Sequence, residues 1–139
     1  MYCKRKNSTN WQFPQGGIDK NEDIFDAALR ELYEEVGIEE NKIKLIKESD
    51  NWYKYDLPKK YKRNSFLWES FKGQKQKWFL FKLIEETKID LNNENNPEFD
   101  EFNWVDYWKP LDEIVDFKRE IYEKVLTELE PAYKLEFSK

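Results

Sequence analysis

An α/β fold, with helices packed on the faces of a mixed central sheet, is what this 139-residue sequence predicts. Two stretches repeat apolar residues at helical spacing, and short runs rich in aromatic and β-branched residues lie between them. One domain, spanning residues 1–139, is the expectation for this length. Aromatic residues make up 17% of the chain, so large rings are available for a core although 38% of residues are charged.

The stretch "WQFPQGGIDKNED", Trp11 to Asp23, reads as the end of a strand, a turn and a helix start. The helix is predicted between Glu22 and Val36, where Phe25, Leu29, Leu32 and Val36 share one side, flanked by Ile24 and Ala28. Asn21 is expected to cap it, Glu22 and Asp23 suit the positive end of its dipole, and Gly37 suits the C′ position. Strands are expected at Ile43 to Lys47, Trp52 to Leu57, Lys77 to Ile84 and Phe102 to Val105. Asn92 to Pro97, "NNENNP", reads as a polar surface loop. A second amphipathic helix is expected over roughly Leu111 to Leu129, with Ile114, Phe117, Ile121, Val125 and Leu129 on one side.

Composition narrows the chemistry. The chain has no histidine and a single cysteine, Cys3. That excludes an internal disulfide, thiol-rich zinc sites and Ser-His or Cys-His nucleophile machinery. Acid–base or metal chemistry must therefore use carboxylates. No apolar run reaches the ~18 to 20 residues of a membrane span, and the start lacks a signal-peptide core. A cytoplasmic location is expected. The formal net charge of −5 argues against sequence-blind binding to duplex DNA but leaves room for a local basic site.

Glu31, Glu34 and Glu35 stand three and four residues apart and share a helix face, where mutual repulsion costs only ~0.2–0.5 kcal/mol per pair. Alone, the spacing also describes a solvated acidic face. Leu32 and Val36 place that face beside the core, and Arg30 can pair with Glu34 one turn on. Upstream, Gly16-Gly17 allows positive φ and close approach of backbone amides to a ligand; a tight strand-to-helix turn is the plainer reading.

Together Gly16, Glu22, Arg30-Glu31-Leu32, Glu34-Glu35, Gly37 and Ile38 match the Nudix box, G-x5-E-x7-R-E-U-x-E-E-x-G-U, with every fixed position satisfied. The likeness extends through "WQFPQGGID", "GQKQKWFLFKL", "NPEFDEFNWVDYW" and "FKREIYEKVL", which resemble the bacterial RNA pyrophosphohydrolases and their dinucleoside-polyphosphate-cleaving relatives. The resemblance implies a Nudix α/β/α sandwich that binds Mg2+, with Mn2+ or Zn2+ as alternatives, at Glu31, Glu34, Glu35 and Glu98. Glu34, Glu35 and Glu98 are its catalytic candidates, and either Glu35 or Glu98 fits the role of general base. Magnesium suits such a site because it takes a few carboxylate oxygens, water and substrate phosphate oxygens.

The resemblance further implies substrate contacts at Arg5, Gly16, Gly17, Tyr55, Gln74, Phe117 and Lys118, with Phe117 as a platform for the first bases. Read without the family, Phe117 is a core residue and Lys118 its solvated neighbour. The segment "WYKYDLPKKYKRNSF" interleaves rings with Lys54, Lys59, Lys60, Lys62 and Arg63, which suits a phosphorylated single strand or a soluble loop after a strand. The implied activity is conversion of 5′-triphosphate or diphosphate RNA ends to 5′-monophosphate, starting mRNA decay. A diadenosine tetraphosphate hydrolase and a non-catalytic phosphate-ligand or RNA-binding module are the alternatives. Only ten residues precede Trp11, fewer than in the family; the first N-terminal strand and its phosphate-facing arginine are expected to be absent, by truncation or a late start.

Overall fold

The computed structural model describes residues 1–16, 21–55, 74–114 and 116–137. Its strands are β1 (Tyr2–Arg5), β2 (Trp11–Gln12), β3 (Ile43–Glu48), β4 (Tyr53–Tyr55), β5 (Gln74–Gln76), β6 (Phe79–Leu83) and β7 (Phe99–Asn103). The helices are α1 (Ile24–Val36), a short α2 (Pro110–Glu113) and α3 (Asp116–Phe137). The strands form three ladders, β2-β1-β7, β3-β6 and β4-β5. Every pairing among the described residues is antiparallel. β1 is paired along both edges, and its Tyr2 and Cys3 are fully buried.

Side-chain alternation along the strands builds a sandwich. On β6, Phe79 and Phe81 meet Phe25 of α1, with ring centroids 5.8 and 6.2 Å away. Leu83 joins Cys3, Val36, Ile38 and Phe99 on the same side. Leu80 instead packs with Tyr53, Ile121, Val125 and Leu129, and Lys82 reaches Glu136 of α3 at 3.4 Å. β1 repeats the pattern: Cys3 belongs to the α1 side, whereas Tyr2 packs with Ile114 and Tyr122. Two helices thus cover opposite faces of the strand layer.

The ends of α1 follow from local chemistry. Asp23, not Asn21, is the N-cap: its Oδ2 accepts from the Phe25 amide at 3.0 Å. Asn21 lies upstream of the helix in a left-handed conformation, φ 66°. Gly37 closes the helix at φ 74°, its amide donating to Tyr33 at 2.9 Å. A Cβ there would also press on Asp90, whose own amide donates to Val36 at 2.8 Å.

The second helix departs from its expected span at both ends. Ile114 is extended, with ψ 147°, so Pro110–Glu113 is a separate turn before α3. Downstream, α3 runs through Pro131 to Phe137, although proline lacks an amide to continue the ladder. Tertiary contacts hold that last stretch. Tyr133 stacks on Tyr107 at 4.4 Å and on Phe137 at 4.8 Å, while Glu136 lies 3.4 Å from Lys82 and 3.8 Å from Lys44. The strand expected at Phe102 to Val105 begins earlier, at Phe99, which is 1% exposed and fixes the inward register of β7.

Candidate active site

The C-terminal half of α1 carries the acidic residues, and Arg30 organises the outer ones. Its guanidinium bonds both oxygens of Glu22, at 2.8 and 2.9 Å, and reaches Glu31 at 2.8 Å and Glu34 at 3.2 Å. A planar fork meets such a divided set of carboxylates better than an ammonium would. The expected Arg30–Glu34 pair is therefore present as one arm of a larger knot.

Gly16 lies close against Glu31. A Cβ on Gly16 would overlap the Glu31 carboxylate, so the glycine is there for close approach. Gly37 is the glycine with positive φ among the described residues, which removes the positive-φ reading for Gly16; Gly17 lies outside them.

Glu35 faces inward and is 1% exposed; no N–H or hydroxyl donor among the described residues serves its oxygens, and the group that meets it is another carboxyl, that of Glu98. Burial, then the charges of Glu98 and Glu31, pushes its carboxyl up to about 10. Burial also raises Glu31, against the pull of Arg30. A buried carboxylate without a donor needs either a proton or a cation. The carboxylates of Glu31, Glu34, Glu35 and Glu98 offer hard oxygen donors, which fit a divalent ion such as magnesium. Among the described residues no three acidic side chains already converge as a cage, because Arg30 draws Glu31 and Glu34 to itself. Glu98 sits on the exposed loop before β7, and its carbonyl accepts from the Lys6 amide at 2.8 Å, which ties it to the end of β1.

That same strand end brings in the basic candidates. Arg5 Nη1 and Lys118 Nζ approach one acceptor, Gln12 Oε1, at 3.5 and 3.4 Å. Lys118 is 9% exposed rather than a solvated neighbour; burial, then Arg5, lowers its ammonium to about 8. Two cations this close form a site that an anion would stabilise. Tyr55 and Gln74 are opposite one another in the β4–β5 ladder, and Phe117 lies in the first turn of α3 beside Lys118. Lys59, Lys60, Lys62 and Arg63 lie outside the described residues.

Two buried polar groups escaped the sequence reading. Gln12 is 3% exposed and joins Arg5 to Lys118, a role visible only once β1, β2 and α3 are assembled. Glu94 lies in the loop read as plain polar surface, yet its Oε1 is buried. No sequence signal marks it.

Known proteins resemble this chain in sequence and in fold. The NUDIX domain model matches residues 2–125. A protein of Shewanella denitrificans named RNA pyrophosphohydrolase is 43% identical over 133 residues, covering 95% of this chain and 77% of its own. A Francisella tularensis subsp. mediasiatica protein of the same name is 46% identical over 128 residues, covering 91% and 81%. Among solved structures, the Escherichia coli dihydroneopterin triphosphate pyrophosphohydrolase superposes with a TM-score of 0.68 at 19% identity, over 91% of this chain and 84% of that one. A Caenorhabditis elegans Ap4A hydrolase superposes at 0.63 with 17% identity, over 94% and 86%. Those two likenesses establish the fold, while the match across residues 2–125 establishes the lineage: this chain belongs to the Nudix hydrolase family.

Proposed function

We propose that the protein is a divalent-metal-dependent RNA 5′-pyrophosphohydrolase acting in the cytoplasm as one catalytic domain. The observation that carries this reading is the donor-free, buried Glu35 carboxylate beside Glu98, at the end of the helix that bears Glu31 and Glu34. Relatives 43% and 46% identical that are named for the same activity support it. Glu31, Glu34, Glu35 and Glu98 would hold the ion. When bound, magnesium, or manganese or zinc in its place, would neutralise phosphate charge and acidify water.

The chain's own groups divide the remaining tasks. Arg5 and Lys118 orient the anionic 5′ end, with Gly16 and Gly17 before the helix. Tyr55, Gln74 and Phe117 receive the first nucleotides, the ring of Phe117 by stacking. A glutamate, Glu98 or Glu35, takes the proton of the attacking water. Oxygen bonds to phosphorus and the phosphoanhydride P–O bond breaks, its electron pair staying on the departing side, so that a triphosphate end releases pyrophosphate and a diphosphate end releases phosphate. The RNA keeps a 5′-monophosphate, which starts its decay. Glu98 is the carboxylate open to solvent and so the one able to return its proton to bulk water.

A competition assay tests this. Protein with Mg2+ meets 5′-triphosphorylated RNA and diadenosine tetraphosphate together, and products are resolved by mass. Preferential formation of 5′-monophosphate RNA is expected. Glu35→Gln should lower that turnover by about 100-fold or more with little change in RNA affinity. Preferential release of ATP and AMP would reassign the substrate to free dinucleotides, and equal turnover by the variant would argue for a binding module.

A further inference from the structure

We propose that Gln12 is a positioning residue of the anion site: its side-chain oxygen gathers Arg5 and Lys118 around one point and adds no charge that would compete with a phosphate there. This deepens the reading of Arg5 and Lys118 as the groups that orient an anionic 5′ end, and it rests on that reading.

The backbone fixes Gln12 between the two cations. On the β1 side, Cys3 is its partner across the ladder, and the Arg5 amide donates to the Asn10 carbonyl at 2.9 Å. On the α3 side, the amide of the next residue, Phe13, donates to the Tyr122 hydroxyl at 3.1 Å. Tyr122 stands one helical turn after Lys118.

The carboxamide is used from its oxygen end. Oε1 lies 3.5 Å from Arg5 Nη1 and 3.4 Å from Lys118 Nζ, while Nε2 is buried with no hydrogen-bond partner among the described residues. Turning the amide over would set its N–H donors against both cations. Both contacts are long for N–H···O bonds, as expected of one acceptor divided between two donors. Such contacts yield readily to a phosphate oxygen, a charged and therefore stronger acceptor. Arg5 is exposed and among the described residues makes no salt bridge, so the group is open to a ligand on that side. Gln12 and Lys118 are buried behind it.

A glutamate would fill the same space as Gln12 and offer both cations a charged partner. Elsewhere on β1 a carboxylate does this: Lys4 meets Asp100 at 2.7 Å. The amide at position 12 collects the positive groups without neutralising them.

The test is binding of inorganic pyrophosphate to the full chain without metal, by titration calorimetry, for wild type, Gln12→Glu, Gln12→Leu and Lys118→Met. Each is also melted, and KM and kcat are measured with 5′-triphosphorylated RNA in Mg2+. Wild type should bind pyrophosphate and Lys118→Met should not measurably do so. Both Gln12 variants should bind roughly tenfold or more weakly and raise KM by a similar factor with kcat within about threefold, because a contact made equally in ground and transition states appears in KM. Gln12→Glu should melt no lower than wild type, since its carboxylate meets two cations. Either Gln12 variant binding like wild type while Lys118→Met fails would overturn the role of Gln12 and leave the cation pair standing. So would weaker binding by Gln12→Glu together with a lower melt, the pattern of a residue that only packs. If wild type binds no pyrophosphate, or Lys118→Met binds it normally, the pair is not an anion site and Gln12 falls with it.

Discussion

Lys118 exposes the physics of this site at the scale of one residue. An ammonium that is 9% exposed and close to Arg5 loses hydration, and the Gln12 oxygen that it meets is neutral. Its folded value, about 8, lies below the unfolded value near 10.4. Between those values the unfolded chain binds the extra proton, so this group makes stability rise as pH climbs from about 8 to about 10.4. Below pH 8 both states are protonated, and the full cost of burying the charge is present. Urea unfolding across that window should therefore show a positive slope in wild type that is reduced in Lys118→Met. Identical slopes would mean that Lys118 is not the buried cation described.

At the scale of one element, α1 is a short helix whose two ends are both specified chemically. Asp23→Ala removes the bond to the Phe25 amide and should cost about 1 kcal/mol. Gly37→Ala carries a heavier load. It forces a side chain into the left-handed region, at about 1–2 kcal/mol, and drives a Cβ against Asp90. Chemical denaturation should rank Gly37→Ala as the more damaging, and the reverse order would contradict the close approach of the Asp90 loop. That approach matters beyond stability, because the loop fastened to α1 through Asp90 and Asn93 leads directly into Glu98.

For the whole molecule, the consequence is coupling between cation binding and folding. The unfolded chain separates its glutamates, whereas the native sandwich brings the Glu98 carboxyl to the buried Glu35. An ion that binds only the native state stabilises it by about 2.7 kcal/mol at a hundredfold excess over its Kd. Melting in Mn2+ should accordingly occur several degrees higher than in chelator, and Glu35→Gln should lose most of that rise. An unchanged melting temperature for wild type would remove the case for a native-state cation site. Among the described residues no helix is long and apolar enough to cross a membrane, consistent with a sandwich whose helices each offer one apolar side to the strands.

The amino-acid sequence by itself determined the family, the acidic helix and the chemistry left to a chain without histidine, because these depend on spacing and residue type. Phe25, Leu32 and Val36 announce the inward face of α1 through period 3.6, and Gly37 announces its end, whatever lies around them. The N-cap was legible only to within two residues, since Asn21 and Asp23 are both good caps and the backbone chose between them. Pro131 misled the estimate of where α3 stops, because ring stacking on Tyr107 and ion pairs with Lys44 and Lys82 come from distant strands. Tertiary structure alone decided that Glu35 is the buried carboxylate while Glu98 stays exposed, and that Gln12 joins Arg5 to Lys118. Local patterns cannot encode such facts. Burial and charge proximity are set by which strands and loops meet, and those partners lie up to 106 residues apart along the chain.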